Sequence, residues 1–149
     1  MKTILIADDD VITRKIVKSL CDSLGYRVLE SSNGRRALQT LRRENVDILV
    51  TDWIMPELSG LSLCREIRSE GARSTPFVFL MTAKKKGLKN YAEALAAGAD
   101  DFLYKPVDAY VFRNQLRAAE EILAHQPKNP SEEERRPYAE FANSGRHRR

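Results

Sequence analysis

With 149 residues, 42% of them hydrophobic and 31% charged, the chain can bury one ordinary core. No apolar run approaches the ~20 residues of a membrane helix, and the opening MKTILIADDD meets three acids where a secretory signal needs a longer apolar stretch, so a single-domain cytoplasmic protein with no membrane partner is expected. The net charge of +4 divides into +2 for residues 125–149 (six Lys or Arg against four Glu) and +2 for the rest (19 against 17), a spread-out excess with no reading element, so nucleic acid is not an expected partner.

In chain order, Thr3 to Ala7 reads as a short aliphatic strand ending on Asp8-Asp9-Asp10, the last of which is placed to cap the helix that follows. Ile12, Ile16, Val17, Leu20 and Leu24 then have the spacing of one buried helix face. Leu24-Gly25-Tyr26 turns into a second strand, Arg27 to Ser31, and Asn33-Gly34 is the next turn signal. A third strand, Val46 to Thr51, runs directly against Asp52, after which Pro56 and Ser59-Gly60 break the chain. Pro76 to Met81 makes a fourth strand that ends in Thr82-Ala83. Leu88, Tyr91, Ala92, Leu95 and Ala96 mark a helix face, and Ala97-Gly98-Ala99 turns toward a short fifth strand, Phe102 to Tyr104, with Asp100 and Asp101 assigned to that turn. Lys105-Pro106 follows, then a helix from an Asp108 cap to about His125 with Phe112, Leu116, Ala119 and Leu123 on one face. Cys21 and Cys64 have no CxxC spacing and read as small buried residues. Beyond His125 come three prolines and little apolar content, so residues 1–124 are read as one domain and 125–149 as a flexible polar tail or truncated linker.

Apolar strands alternating with helices imply a doubly wound α/β domain, a five-stranded parallel sheet covered on both faces. In such sheets ligands bind beyond the carboxyl ends of the strands. Four of the five ends carry polar groups: Asp8-Asp9-Asp10, Asp52, Thr82-Ala83 and Lys105-Pro106. Converging carboxylates repel unless a cation compensates, and hard oxygen ligands without nearby His or Cys suit Mg2+, or Mn2+ in its place. A carboxylate nucleophile, a divalent ion and a lysine form a phosphoryl-transfer constellation, with Asp52 as the nucleophile and Lys105 stabilising charge.

The acid pair Asp8-Asp9, Asp52 followed by Trp53-Ile54-Met55-Pro56 and Gly60, Thr82-Ala83, Gly98-Ala99-Asp100-Asp101-Phe102 and Lys105-Pro106 together resemble the receiver domain of two-component response regulators, similar to the chemotaxis-type single-domain regulators. The resemblance covers residues 1 to about 124. It implies the flavodoxin-like (βα)5 fold with strand order 2-1-3-4-5. It also implies that Asp52 accepts a phosphoryl group from a phosphohistidine on a sensor histidine kinase or phosphotransfer protein. Asp9 and Asp52, with the backbone carbonyl of Ile54, would bind Mg2+ directly and Asp8 through water. Lys105 would contact the phosphoryl group, and its bond to Pro106 is expected to be cis.

Thr82 and Phe102 are read as a switch: the hydroxyl follows a phosphoryl oxygen, and the ring packs inward behind it. Phe102 also reads as ordinary core packing, Trp53 as either packed over the cleft or facing solvent. Ile54 and Lys84 are expected to flank the acyl phosphate and hinder water. The rival reading is a haloacid dehalogenase-like phosphatase with Asp8 as nucleophile, because Asp8-Asp9-Asp10 satisfies D-x-D. That family's later acid pair follows its lysine, whereas Asp100-Asp101 precedes Lys105 here, and Asp52 would be left idle. The expected output is a contact surface on the last two helices and fifth strand, offered to a downstream protein or to a lost C-terminal effector domain.

Overall fold

The alternation of apolar runs with amphipathic segments produces a sheet layered between helices, seen in a computed structural model that describes residues 1–70, 75–83 and 87–126, with only the backbone of Leu88. Strands β1 (Thr3–Ala7), β2 (Arg27–Ser31), β3 (Ile48–Asp52), β4 (Phe77–Thr82) and β5 (Asp101–Tyr104) form one parallel sheet in the order β2-β1-β3-β4-β5. They alternate with α1 (Val11–Ser23), α2 (Gly34–Arg43), α3 (Gly60–Ser69), α4 (Leu88–Ala97) and α5 (Ala109–Ala124). This is the flavodoxin-like order that the resemblance implies.

Successive strand residues point to opposite faces, so the sheet feeds two cores. Leu5, Leu49, Val78 and Leu80 pack with Ala37, Leu63, Ile67 and Ala94 under α2, α3 and α4. Ile4, Ile48, Val50 and Phe79 pack with Val17, Cys21, Phe112 and Leu116 under α1 and α5. Every residue of β1 and β4 is buried, as central parallel strands require. Cys21 and Cys64 are buried thiols, as expected, each with its pKa pushed up to about 12 by burial.

Three strands differ in their limits from the apolar pattern: β4 runs from Phe77 to Thr82, one residue later at each end than Pro76 to Met81, β3 closes on Asp52 itself, and the starts of β3 and β5 are shifted. β3 starts at Ile48 rather than Val46, because the Asp47 carboxylate is turned back to accept the Thr3 N–H at 2.7 Å. β5 starts at Asp101, which pairs with Phe79, so Asp101 is strand and not turn. Two helix faces also differ. In α1, Ile12, Ile16 and Leu24 are exposed while Val17 and Cys21 are buried; in α4, Leu95, Ala92 and Ala96 are exposed while Ala94 and Ala97 are buried. In both helices compact side chains face the sheet and allow close approach, which leaves larger aliphatics at the flank. No helix among the described residues is long and apolar enough to cross a membrane. The tail expected at 125–149 lies, from residue 127 onward, outside the described residues.

The segment from Asp52 to α3 is tightly held. Gly60 N–H donates to the Trp53 carbonyl at 2.9 Å, and a Cβ on Gly60 would stand 2.1 Å from the Asp52 carbonyl oxygen. At the start of α2, a Cβ on Gly34 would stand 1.9 Å from the Leu58 carbonyl oxygen. Between these clamps Leu58 N–H donates to the Pro56 carbonyl at 2.8 Å, a γ-turn that forces Glu57 to φ 69°. A positive φ of this kind costs a residue with a side chain about 1–3 kcal/mol, and glycine adopts it freely. Glu57→Gly is therefore expected to raise stability by about 0.5–1 kcal/mol after the entropy glycine adds to the unfolded chain, read from the urea midpoint. A lower midpoint would show that the glutamate side chain holds the turn.

Candidate functional site

β1 lies between β2 and β3, so the winding reverses beside the carboxyl ends of β1 and β3, where an open parallel sheet offers a crevice. Asp8 and Asp9 leave β1 there, and Asp52 closes β3. One carboxylate oxygen from each lies within 4.8 Å of the other two. Asp8 is buried, Asp52 half-buried and Asp9 exposed. Asp10 turns away from this group and caps α1, accepting the Ile12 N–H at 3.1 Å and the Thr13 hydroxyl at 2.6 Å.

Lys105 arrives from the far side of the sheet, its N–H held by the Thr82 carbonyl at 2.9 Å and its bond to Pro106 cis, as the resemblance implies. Its ammonium stands 2.8 Å from Asp8 Oδ2 and 3.3 Å from Asp52 Oδ2. Asp8 Oδ1 accepts the Asp10 N–H at 2.9 Å, while Oδ2 is sealed from solvent, accepts no well-aligned hydrogen bond and faces that ammonium. Burial and the charge of Asp8 raise the pKa of Asp52, and Lys105 opposes the rise without cancelling it. Burial also works against the Lys105 ammonium, but Asp8 and Asp52 outweigh it and hold its pKa above the ordinary value.

Three hard carboxylates around one point, with no His or Cys among them, fit a divalent cation of the Mg2+ class. The same geometry leaves Asp8 without support as a nucleophile: its side chain is 0% exposed, against 16% for Asp52.

Thr82 ends β4, nearly buried, and its main chain pairs with Tyr104. The ring of Phe102 is half-buried against the α2–α4 core and stacks on Trp53, centroids 6.2 Å apart. On its other side it meets Tyr91 edge-on at 4.8 Å, and the Tyr91 hydroxyl shares a 2.6 Å hydrogen bond with that of Tyr104. Trp53 thus packs against Phe102 and the core and does not simply face solvent. Ile54, two residues beyond Asp52, is 70% exposed. Lys84 lies outside the described residues.

Several supports were not legible in the sequence. Arg14 donates to the Asp8 carbonyl at 2.8 Å, and Gln115 Nε2 donates to the Phe102 carbonyl at 2.8 Å and to Asp101 at 3.0 Å. Arg68 donates to the carbonyls of Pro76 and Gly98 and to Asp100, whose carboxylate also accepts the Val78 N–H at 2.8 Å. All these partners are distant in sequence except Arg14, which follows Asp8 by six residues on the first turns of α1 and could have been placed by helix geometry.

The sequence profile of the response regulator receiver domain matches residues 4–117. The chemotaxis protein CheY of Pseudomonas aeruginosa is 36% identical over 114 residues, covering 76% of this chain and 91% of that protein. The receiver domain of the Francisella response regulator 1452 superposes with a TM-score of 0.74 at 27% identity, covering 83% of this chain and 99% of that one. The receiver domain of Ssk1 from Saccharomyces cerevisiae, solved with the histidine phosphotransfer protein Ypd1, shares the fold at a TM-score of 0.69 and 22% identity over 76% of this chain and 85% of that one.

With divalent ions chelated, an ionised Asp52 weighs against the folded state. The fold binds this proton more tightly than the unfolded chain does, so the penalty is complete above the raised pKa and vanishes below the ordinary carboxylate value of 3.8. Asp52→Asn should therefore melt higher than the parent at pH 7, the gap closing as the pH falls toward that value. Calorimetry in EDTA measures this, and a variant that melts lower at pH 7 would contradict the assigned electrostatics.

Proposed function

The chain belongs to the response regulator receiver domain family, and from that premise we propose that Asp52 accepts a phosphoryl group from the phosphohistidine of a sensor histidine kinase or phosphotransfer protein. One observation carries the assignment: Asp52 is held at 3.3 Å by the Lys105 ammonium and remains reachable, while Asp8, held closer at 2.8 Å, is sealed. The role of the family is signalling, not turnover of a metabolite.

In the transfer, an Asp52 oxygen attacks phosphorus. The new O–P bond forms as the P–N bond to the donor imidazole breaks, and the imidazole nitrogen leaves with the electron pair and takes up a proton. The Lys105 ammonium, freed from part of its pairing with Asp52, turns to a phosphoryl oxygen. Asp9, Asp52 and the Ile54 carbonyl would hold a Mg2+ or Mn2+ ion directly and Asp8 through water; when bound, the ion offsets charge on the phosphoryl oxygens. The Thr82 hydroxyl follows a phosphoryl oxygen, and Phe102, already between Trp53 and Tyr91, transmits the change toward the surface. Hydrolysis by water at phosphorus returns the Asp52 carboxylate and inorganic phosphate.

The signalling unit is assigned to residues 1–124, in the cytoplasm. Its output surface is the face of α4, β5 and α5, where Leu95, Tyr104, Val111 and Ile122 are exposed, offered to a downstream protein or to an effector domain. Ypd1 bound to the Ssk1 receiver is an instance of the donor class proposed here.

Mass spectrometry is expected to show one phosphoryl group, or its beryllofluoride mimic, only with Mg2+ or Mn2+ present, and none on Asp52→Asn. Labelling of that variant at another residue would overturn the assignment. Lys105→Ala is expected to keep Mg2+-dependent quenching of Trp53 fluorescence while losing transfer. Ile54→Asn replaces an apolar branch with a group that can orient water, so the phosphorylated protein should decay about tenfold faster if the barrier falls by ~1.4 kcal/mol. Unchanged or slower decay after the donor is removed counts against that role for Ile54.

A further inference from the structure

α2, with the sequence GRRALQTLRR, carries four arginines and no acid. Two of its neighbouring basic groups are neutralised locally: Arg42 pairs with Glu70, and Arg27 of β2 with Glu44 at 3.4 Å. Arg36 and Arg43 are exposed and meet no carboxylate among the described residues. Seven positions apart, they lie on one side of the helix and line an open groove of about 570 Å³ that runs beside the β2 edge of the sheet. Arg14 of α1 forms its inner wall. This guanidinium is mostly buried, with Nε sealed from solvent and 3.4 Å from Glu30, the one acid in the lining, while its other nitrogen donates to the Asp8 carbonyl. The remaining lining is hydroxyl and amide: Ser32, Thr40 and Gln39 among others.

We propose that this groove is a docking site for an acidic, extended segment of a partner protein. Three guanidiniums against one carboxylate set the sign of the occupant. The lining has no aromatic or aliphatic wall on which a base could stack or an acyl chain could rest, which disfavours nucleotides and lipids. The ten residues of α2 make the groove about 15 Å long, room for four or five extended residues. Arg36 and Arg43 are separated by about 10 Å along the helix axis. An extended polyproline-type chain brings residues three apart to the same side at about 9 Å, so glutamates at every third position match the two arginines. The site stands at the β2 edge of the sheet, the opposite edge from β5 and the proposed output surface, and does not depend on Asp52 being the phosphoacceptor.

The test uses the full chain and a proline-framed pentapeptide with glutamate at positions 1 and 4, its glutamine counterpart, a ten-nucleotide oligouridylate and inorganic tripolyphosphate, each titrated by calorimetry at low and at physiological salt. The glutamate peptide is expected to bind, the glutamine peptide not, and Arg36→Ala/Arg43→Ala to lose at least tenfold in affinity. That variant changes exposed side chains, so its circular dichroism should match the parent and its beryllofluoride uptake should be unchanged. No binding of the glutamate peptide, or binding that survives the double substitution, overturns the proposal. Oligouridylate or tripolyphosphate binding more tightly than the peptide through the same arginines overturns the assigned partner class.

Discussion

Two carboxylates at the ends of neighbouring buried strands cannot both stay ionised without a cation, and the Lys105 ammonium between Asp8 and Asp52 meets that constraint. Adjacent parallel strands stand about 4.8 Å apart, so the adjacency of β1 and β3 itself forces the acids together. The lysine has to cross β4 to reach them. Its reach is set by the Thr82 carbonyl, which holds the Lys105 N–H, and by Gln115, which ties β5 to α5 through the Phe102 carbonyl. The arrangement leaves Asp52 with a raised pKa, so the compensation by Lys105 is incomplete.

The sheet is buried where the acids are mounted and partly exposed at its β5 edge. β1 and β4 are buried throughout, whereas β5 at the sheet edge has an exposed Tyr104 and a half-buried Phe102. Trp53, Phe102, Tyr91 and Tyr104 form a continuous line of ring and hydroxyl contacts from the residue next to Asp52 out to that edge. A displacement of the Phe102 ring has to be accommodated by both Trp53 and Tyr91. Strand burial fixes the carboxylates, and ring packing links the residue after Asp52 to the sheet edge.

The fold was legible because the strands are apolar on both faces and sit at regular distances in the chain. β1 and β2 have the limits their residues suggest, and the strand ends pointed to Asp8, Asp9, Asp52 and Lys105, which the structure brings together. The buried faces of α1 and α4 were not legible. Periodicity ranks residues by hydrophobicity, while close helix–sheet approach selected Val17, Cys21, Ala94 and Ala97 and left Ile12 and Leu95 in solvent. Nor could spacing reveal the Tyr91–Tyr104 bond or the grip of Arg68 on Gly98 and Asp100, since each joins residues that only the tertiary fold makes neighbours. An acid at a strand start has the look of a turn residue, which hides Asp101 in the sequence; in the fold its carboxylate is taken up by the Phe102 N–H and by Gln115.

The two glycine clamps have a mechanical meaning for the loop after Asp52. At Gly60 backbone bears directly on the Asp52 carbonyl, and at Gly34 the first turn of α2 bears on the Leu58 carbonyl, with no side chain between to act as a cushion. A side chain at either glycine would have to push the Asp52 or the Leu58 carbonyl aside, so a substitution at Gly34, in the arginine-bearing helix, would be felt in the segment that follows Asp52.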